Sequence, residues 1–262
     1  MTHYFLGIDV GTYESKGVLI DENCRIKAEM AVKHDLENPK PNHFEHDAEV
    51  VWWGDFCKIS QGLIKNAGIK PTEIACVGSS ALGADCLPVD ENCRPLRKAI
   101  LYGIDSRADK EISFLSELYG PHKINQIYGR PICSSDVAPK ILWIKNNEPE
   151  VYCRTFKFLT STSYLTAKLT GEYFIDKFLI NTFAPAYRKD GQIDEDLCSI
   201  FCRPDQLAEC RLTTEIVGQV TVKAAAETGL AQGTPVITGT DDSGAESIST
   251  GIFAPGEMMI QL

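Results

Sequence analysis

The chain is short of positive charge and of histidine. Its 262 residues include 26 lysines and arginines against 36 aspartates and glutamates, a formal net charge of −10, and five histidines. That balance argues against nucleic acid or an anionic membrane as the main partner. It does not argue against nucleotides, because a phosphate site is built locally from a turn and one metal. No apolar run approaches membrane-spanning length. Met1-Thr2-His3 leads straight into a strand-like segment, with no secretory signal. A cytoplasmic location is the expectation. None of the ten cysteines forms a Cys-x-x-Cys pair, and with histidine sparse a zinc site is not expected. Reduced thiols fit a cytosolic protein. Cys198 and Cys202, four apart on a predicted helix, share one face and are read as core. Low-complexity linkers and solenoid-period repeats are lacking too.

What is there begins with Gly7-Ile8-Asp9-Val10-Gly11-Thr12-Tyr13-Glu14-Ser15-Lys16, followed by Gly17-Val18-Leu19-Ile20-Asp21. It reads as strand, tight turn, strand. Tyr4 to Ile8 is an apolar run of the buried central type, and Gly11 gives the turn torsions that other residues adopt only at a cost. A third strand is expected over Cys24 to Lys33. The turn offers backbone N–H groups, the hydroxyls of Thr12 and Ser15, and the cation of Lys16, which together can cradle a phosphate. Asp9, at the strand end, supplies a hard oxygen for hydrated Mg²⁺. An ordinary hairpin with a polar turn fits the same residues.

Asp47 is the expected N-cap of a helix whose apolar face includes Val50, Trp53, Phe56 and Leu63, and Gly68 ends it. Ile74 to Val77 predicts a buried strand that runs into the small residues Gly78 to Asp85. Further strands are expected at Cys86 to Val89 and Ala99 to Tyr102. Asp105 is placed to cap a helix over Ser106 to Leu118 that stops at Gly120. Arg107 in its first turn opposes the helix dipole, which hints at another task. Helical segments are expected from Asp136, from Pro149, over Phe158 to Leu169, from Asp194 to Phe201, and from Thr221 to Gly229. The stretch Arg203 to Glu215 has no clear period. Thr234 to Thr238 is a strand that delivers Gly239-Thr240-Asp241-Asp242-Ser243-Gly244 into a helix start, and Gly256 to Leu262 looks like another strand beginning.

Strands separated by helices imply an α/β fold. In open α/β sheets, ligands bind beyond the carboxyl ends of the strands. Asp9 and Asp242 both stand at such ends. If their strands are neighbours, one carboxylate can hold a metal while the other meets an incoming hydroxyl, the division of labour that phosphoryl transfer needs. Asp242 as a helix N-cap, with Asp241 as solvated filler, is the plainer alternative.

Over Tyr4 to Leu262 the chain resembles the N-terminal domain of the FGGY carbohydrate kinases, within the actin-like, sugar-kinase and heat-shock ATPase superfamily. The motifs occur in order: Asp9-Val10-Gly11-Thr12 with Lys16; Glu45-His46-Asp47-Ala48-Glu49 with Trp52-Trp53; Asp105-Ser106-Arg107; Lys140 to Trp143 with Glu148-Pro149-Glu150; Leu169-Thr170-Gly171-Glu172 with Asp176; and Gly229-Leu230, Gly233 to Val236, then Gly239-Thr240-Asp241-Asp242. The resemblance implies an actin-like (ribonuclease H-like) domain with a five-stranded mixed sheet flanked by helices. It implies ATP and Mg²⁺ as cofactors and a sugar or polyol as substrate. Asp242 would be the general base and Asp9 the metal ligand. Gly11, Thr12 and Lys16 would lie near the transferred phosphate. Ser80, Leu82, Asp85, Asp105 and Arg107 would line the sugar side.

Two departures qualify this. Ser80-Ala81-Leu82-Gly83-Ala84-Asp85 stands where the family has Ser-Gly-Gln-x-His-Gly, so the sugar is not readable by analogy, and a non-catalytic sugar-binding or regulatory module on the same scaffold stays open. Asp85 there could bind hydroxyls or be a solvated turn residue. Family members also carry a second, nucleotide-binding domain. Residues 1–253 are therefore expected to be the sugar-side domain and 254–262 the start of that second domain, which would be the missing partner. A fragment of this kind is expected to have little kinase activity, and a homodimer is left open.

Overall fold

A computed structural model describes residues 3–252, 254 and 256–260. The first strand, Tyr4–Val10, turns at Gly11 to Tyr13 and returns antiparallel as Glu14–Asp21, with Asp9 opposite Lys16 and Val10 opposite Ser15. Ile26–Lys33 adds antiparallel to that. On the other side of the first strand lies Ile74–Ala81, parallel to it, which pairs Asp9 with Ser80. Beyond it come Pro235–Ile237 and Thr240–Asp241, both parallel to Ile74–Ala81, and then the antiparallel edge strand Ile216–Gln219. The five-stranded mixed sheet is present, widened by that edge strand. Its last parallel strand is split at Gly239, whose φ of +77° suits glycine and whose added Cβ would lie 2.3 Å from the Ser79 carbonyl oxygen.

Burial alternates along the first strand: Leu6, Ile8 and Val10 are buried, while Phe5 is 40% exposed. The expectation of a strand buried on both faces is thus corrected, although the strand is central. One face packs on the helix Gly54–Ala67 through Phe56, Ile59 and Leu63. The close approach needs Gly17, where an added Cβ would lie 2.2 Å from Ile59 Cγ2. The other face is open.

Local caps fall where the sequence puts them. Asp47 accepts from the Glu49 and Val50 amides at 3.0 and 3.1 Å, ahead of a π-helical stretch Ala48–Trp53. Gly68, Gly171 and Gly229 close helices in the left-handed conformation. Other boundaries move. The helix expected from Ser106 begins at Asp109, and Asp105 does not cap it. Phe158 to Leu169 is not one helix. Lys157–Leu159 is a strand paired with Leu87–Val89, and Thr160 then caps the helix Ser161–Thr170. The segment expected from Asp194 to Phe201 shortens to Glu195–Cys198. Cys198 and Cys202 are both buried in the core, as read. In the aperiodic stretch, Glu209–Arg211 pairs with Phe174–Asp176. Residues 256–260 form no strand, and 261–262 lie outside the described residues.

Helix Ser161–Thr170 is almost wholly buried despite its hydroxyls. The hydroxyls are satisfied by carbonyls of the sheet end: Ser161 donates to Leu82 O at 2.6 Å, Thr162 to Thr240 O at 2.7 Å and Thr166 to Thr238 O at 3.1 Å. Buried donors need such partners. The helix is thereby keyed to the split strand that carries Thr240 and Asp241. Among the described residues, no helix is long and apolar enough to cross a membrane.

Candidate active site

Three parallel strands end side by side. Ser80, near the end of the middle one, pairs with Asp9 on one flank and Thr240 on the other. Strands lie ~4.8 Å apart, so the flanking strands are separated by about 10 Å. Ser80 donates its hydroxyl proton to Asp9 Oδ1 at 2.7 Å. Burial raises the Asp9 carboxyl above its usual range, Ser80 opposes this, the negative charge of Asp242 raises it further, and Lys16 opposes that. The charge of Asp242 thus reaches Asp9, which with Lys16, Ser80 and Thr240 supplies polar lining to a hollow of about 1080 Å³. Its apolar wall is the open sheet face, with Phe5, Val18, Ile20 and Ile237.

Gly11 serves the turn through space rather than torsion. It is absent from the positive-φ glycines, and its added Cβ would sit 2.8 Å from Glu14 O, the carbonyl that its own N–H bonds at 3.2 Å. Thr12 Oγ1 lies 3.0 Å from the Tyr102 hydroxyl. Lys16 is largely exposed, 3.6 Å from Glu14.

The adjacent acids have the reverse of the plainer sequence reading. Asp241, buried, is the N-cap of Asp242–Ser249 and accepts from the Gly244 amide at 2.8 Å. Asp242 stands in the first turn, half-buried, and accepts from the Ser243 amide at 2.7 Å. The backbone enters the helix one residue earlier than a cap at Asp242 would require, which leaves Asp242 facing Asp9 electrostatically. Gly83 makes room for the cap, since an added Cβ would meet Asp241 Oδ2 at 2.8 Å.

Burial pushes the Asp241 carboxyl up to about 6, with Asp242 and Asp176 adding to the rise and the Gly244 amide opposing it. A raised acid favours the folded state when protonated. Its contribution is complete below the ordinary value of 3.8 and is lost as pH rises through about 6. Asp241→Asn, which retains the acceptor for Gly244, is expected to raise Tm relative to wild type above neutral pH and to change it little in acid. The gain is at most ~3 kcal/mol, less for partial exposure. Thermal melts across pH check this.

The residues expected on the sugar side are placed differently from those expected on the phosphate side. Leu82, Asp85 and Asp105 are buried. Asp85 Oδ1 accepts from the Tyr102 amide at 3.1 Å, while its Oδ2 is buried without a hydrogen-bond partner. The solvated-turn alternative for Asp85 is thereby excluded. Burial lifts its carboxyl to about 7, against the pull of the Lys140 ammonium. Lys140, itself pushed down by burial, donates to Ala84 O at 2.8 Å and Ser134 O at 2.6 Å. Ala84 is held at φ +60°, a strained conformation for a residue with a Cβ. Asp105 accepts from the Phe44 amide at 2.6 Å and forms a forked pair with Arg107. Arg107 also reaches Glu45 at 2.8 Å and stacks over Trp143. The other task hinted for Arg107 is this ion-pair cluster. Tyr102, His34 and His46 are all bonded to the turn at 11–12. These contacts carried no signal in the sequence, where His46 entered only within a motif, because their partners are far away along the chain.

Solved structures share this architecture. Xylulose kinase from Rhodospirillum rubrum matches with a TM-score of 0.90 at 24% identity, over 97% of this chain and 52% of that one. Plasmodium falciparum glycerol kinase with ADP matches with a TM-score of 0.84 at 22% identity, over 98% and 52%. The fold is that of the actin-like ATPases. The family model for the FGGY family of carbohydrate kinases, N-terminal domain, matches residues 4–248, and the chain belongs to that family. A probable L-xylulose kinase of Haemophilus influenzae is 29% identical over 92% of this chain and 50% of its own length. Gluconokinase of Bacillus subtilis is 26% identical over 100% and 50%. The chain thus spans about half the length of the curated relatives it matches.

Proposed function

We propose that this chain is the sugar-side half of an ATP-dependent sugar or polyol kinase. The observation that carries the reading is the pair Asp9 and Asp242: Asp9 near the end of one strand beside Ser80, Asp242 directly after the strand on the other side, with the charge of Asp242 reaching Asp9. Asp242 accepts the proton of the acceptor hydroxyl as that oxygen attacks the terminal phosphoryl group of ATP, and ADP leaves. Thr12 and Lys16 line the phosphate side, and Ser80 holds the Asp9 carboxylate in place. Among the described residues no three His, Cys, Asp or Glu side chains come together as a metal cage. A metal bound at Asp9 would take its other ligands from phosphate and water, the manner of Mg²⁺. Mg²⁺ would neutralise charge that develops on the phosphates.

Residues 1–253 form the sugar-side domain in this reading, and 254–262 begin the nucleotide-side domain. The cytoplasm, where ATP and free sugars meet, is the proposed location. The proteins named above are kinases of xylulose, gluconate and glycerol, so pentoses, sugar acids and polyols head the candidates. ADP release by the full-length protein over pentoses, hexoses, polyols and aldonic acids tests the proposal. Stimulation by at least one of them is expected. A folded protein that none of them stimulates would refute it.

A further inference from the structure

Three consecutive carbonyls of the turn after Asp9 are held by two buried histidines. Gly11 O lies 3.1 Å from His34 Nε2, Thr12 O lies 3.1 Å from His46 Nε2, and Tyr13 O accepts from the His34 backbone amide at 3.0 Å. The rings meet edge to face at 5.2 Å. Each carbonyl only accepts, so both Nε2 atoms carry a proton.

The other nitrogens differ. His46 Nδ1 takes the indole proton of Trp52 at 3.1 Å, so it is bare and His46 is neutral. Burial, followed by the neighbouring His34, holds His46 down to about 4. His34 Nδ1 instead faces Asp55 Oδ2 at 2.8 Å, in a pair whose side chains are 7% and 2% exposed. The same Asp55 oxygen accepts from Ser15 Oγ at 3.0 Å. A carboxylate that already accepts there calls for a second donor, and His34 Nδ1 must supply it. Both His34 nitrogens then carry protons.

Peptide planarity gives this a consequence. In a trans peptide the C=O of one residue and the N–H of the next point opposite ways. With Gly11 O and Thr12 O turned in toward the histidines, the N–H groups of Thr12 and Tyr13 point away from them. Neither donates to another described residue. Successive outward amides form an anion-binding concavity.

We infer that His34 is a positioning residue: a buried imidazolium, paired with Asp55 behind the turn, that fixes Gly11 and Thr12 with their amides outward and sets a positive charge behind the bound phosphate. This rests on the kinase reading of the turn. The charged and titratable groups facing His34 are Asp55 from the helix Gly54–Ala67, His46 from the strand His43–His46, and, through Asp55 at 3.4 Å, the exposed Lys58.

The test has two readouts on the full-length protein. Nitrogen-15 spectra of labelled histidine should show both His34 ring nitrogens protonated near neutral pH and His46 as the Nε2–H tautomer. Calorimetry should find binding of Mg²⁺ with AMP-PNP, an ATP analogue that keeps the terminal phosphate, weakened roughly tenfold or more in His34→Gln, which keeps a donor for Gly11 O but loses the charge, with sugar affinity unchanged. Asp55→Asn removes the counter-charge behind His34 and should weaken the analogue as well. The second variant keeps the test open should the first fail to fold. A neutral His34 in a wild type that binds the analogue, or variants that bind it as wild type does, would overturn this inference alone. A wild type that binds neither the analogue nor sugar would sink the kinase reading with it.

Discussion

Asp242→Asn in the full-length protein is expected to slow phosphoryl transfer by about 10²- to 10⁴-fold, the range typical of a lost general base. Asparagine has nearly the same shape and can still accept from the Ser243 amide, which Asp242 meets at 2.7 Å. Asp241, not Asp242, caps the helix, so the start of Asp242–Ser249 should survive the change. Removing one of two mutually repelling carboxylates also relieves Asp9, which Asp242 raises. Stability should therefore hold or rise, and sugar binding should persist while turnover is lost. Rates from coupled ADP release and sugar affinity from calorimetry separate the two effects. A variant with the full rate would remove Asp242 as the base.

Lys140→Met should lower stability by about 3–5 kcal/mol, the usual result of leaving one partner of a buried pair alone. Lys140 is fully buried, and its ammonium serves Ala84 O and Ser134 O while balancing Asp85. Methionine fills a similar volume but donates nothing. For a chain of this size the melting temperature should fall by roughly 10 °C or more. The penalty should also depend on pH. Asp85 is held up to about 7 by burial, so its protonated form suits the interior, and stability carried by that proton is lost as pH rises through that value. The variant should therefore fare worse at pH above 7 than in mild acid. Asp85→Asn combined with Lys140→Met should recover part of the loss, because no lone charge remains. Thermal melts of the four proteins in the cycle decide this. A Lys140→Met loss independent of pH and unrelieved by Asp85→Asn would refute the coupling.

Features set by near neighbours in the chain were legible in the sequence. Asp47 caps the residues directly after it, and Gly68, Gly171 and Gly229 end helices through their own backbone. The hairpin around Gly11 and the two acidic strand ends could also be read, because turn chemistry and strand periodicity are local. What could not be read depends on distant partners. Asp105 can cap a helix in isolation, but Phe44 and Arg107 claim its oxygens. Which of Asp241 and Asp242 caps the last helix depends on where Thr240 pairs with Ser80. The open face of the first strand is invisible in Tyr4 to Ile8, since exposure is decided by what packs opposite. His34 and His46 act on a turn more than twenty residues away. The loop at Leu82 to Asp85 departs from the family pattern in sequence, yet its burial, with Asp85 against Lys140, emerges only in three dimensions.

The most direct measurement is a crystal structure of the full-length protein with sugar, MgADP and a planar phosphoryl mimic such as aluminium fluoride. Asp242 should lie within hydrogen-bond reach, about 3 Å, of the attacking hydroxyl, with Asp9 on the metal side of the mimic. A mimic bound away from both carboxylates, or one reached by neither, would contradict the account.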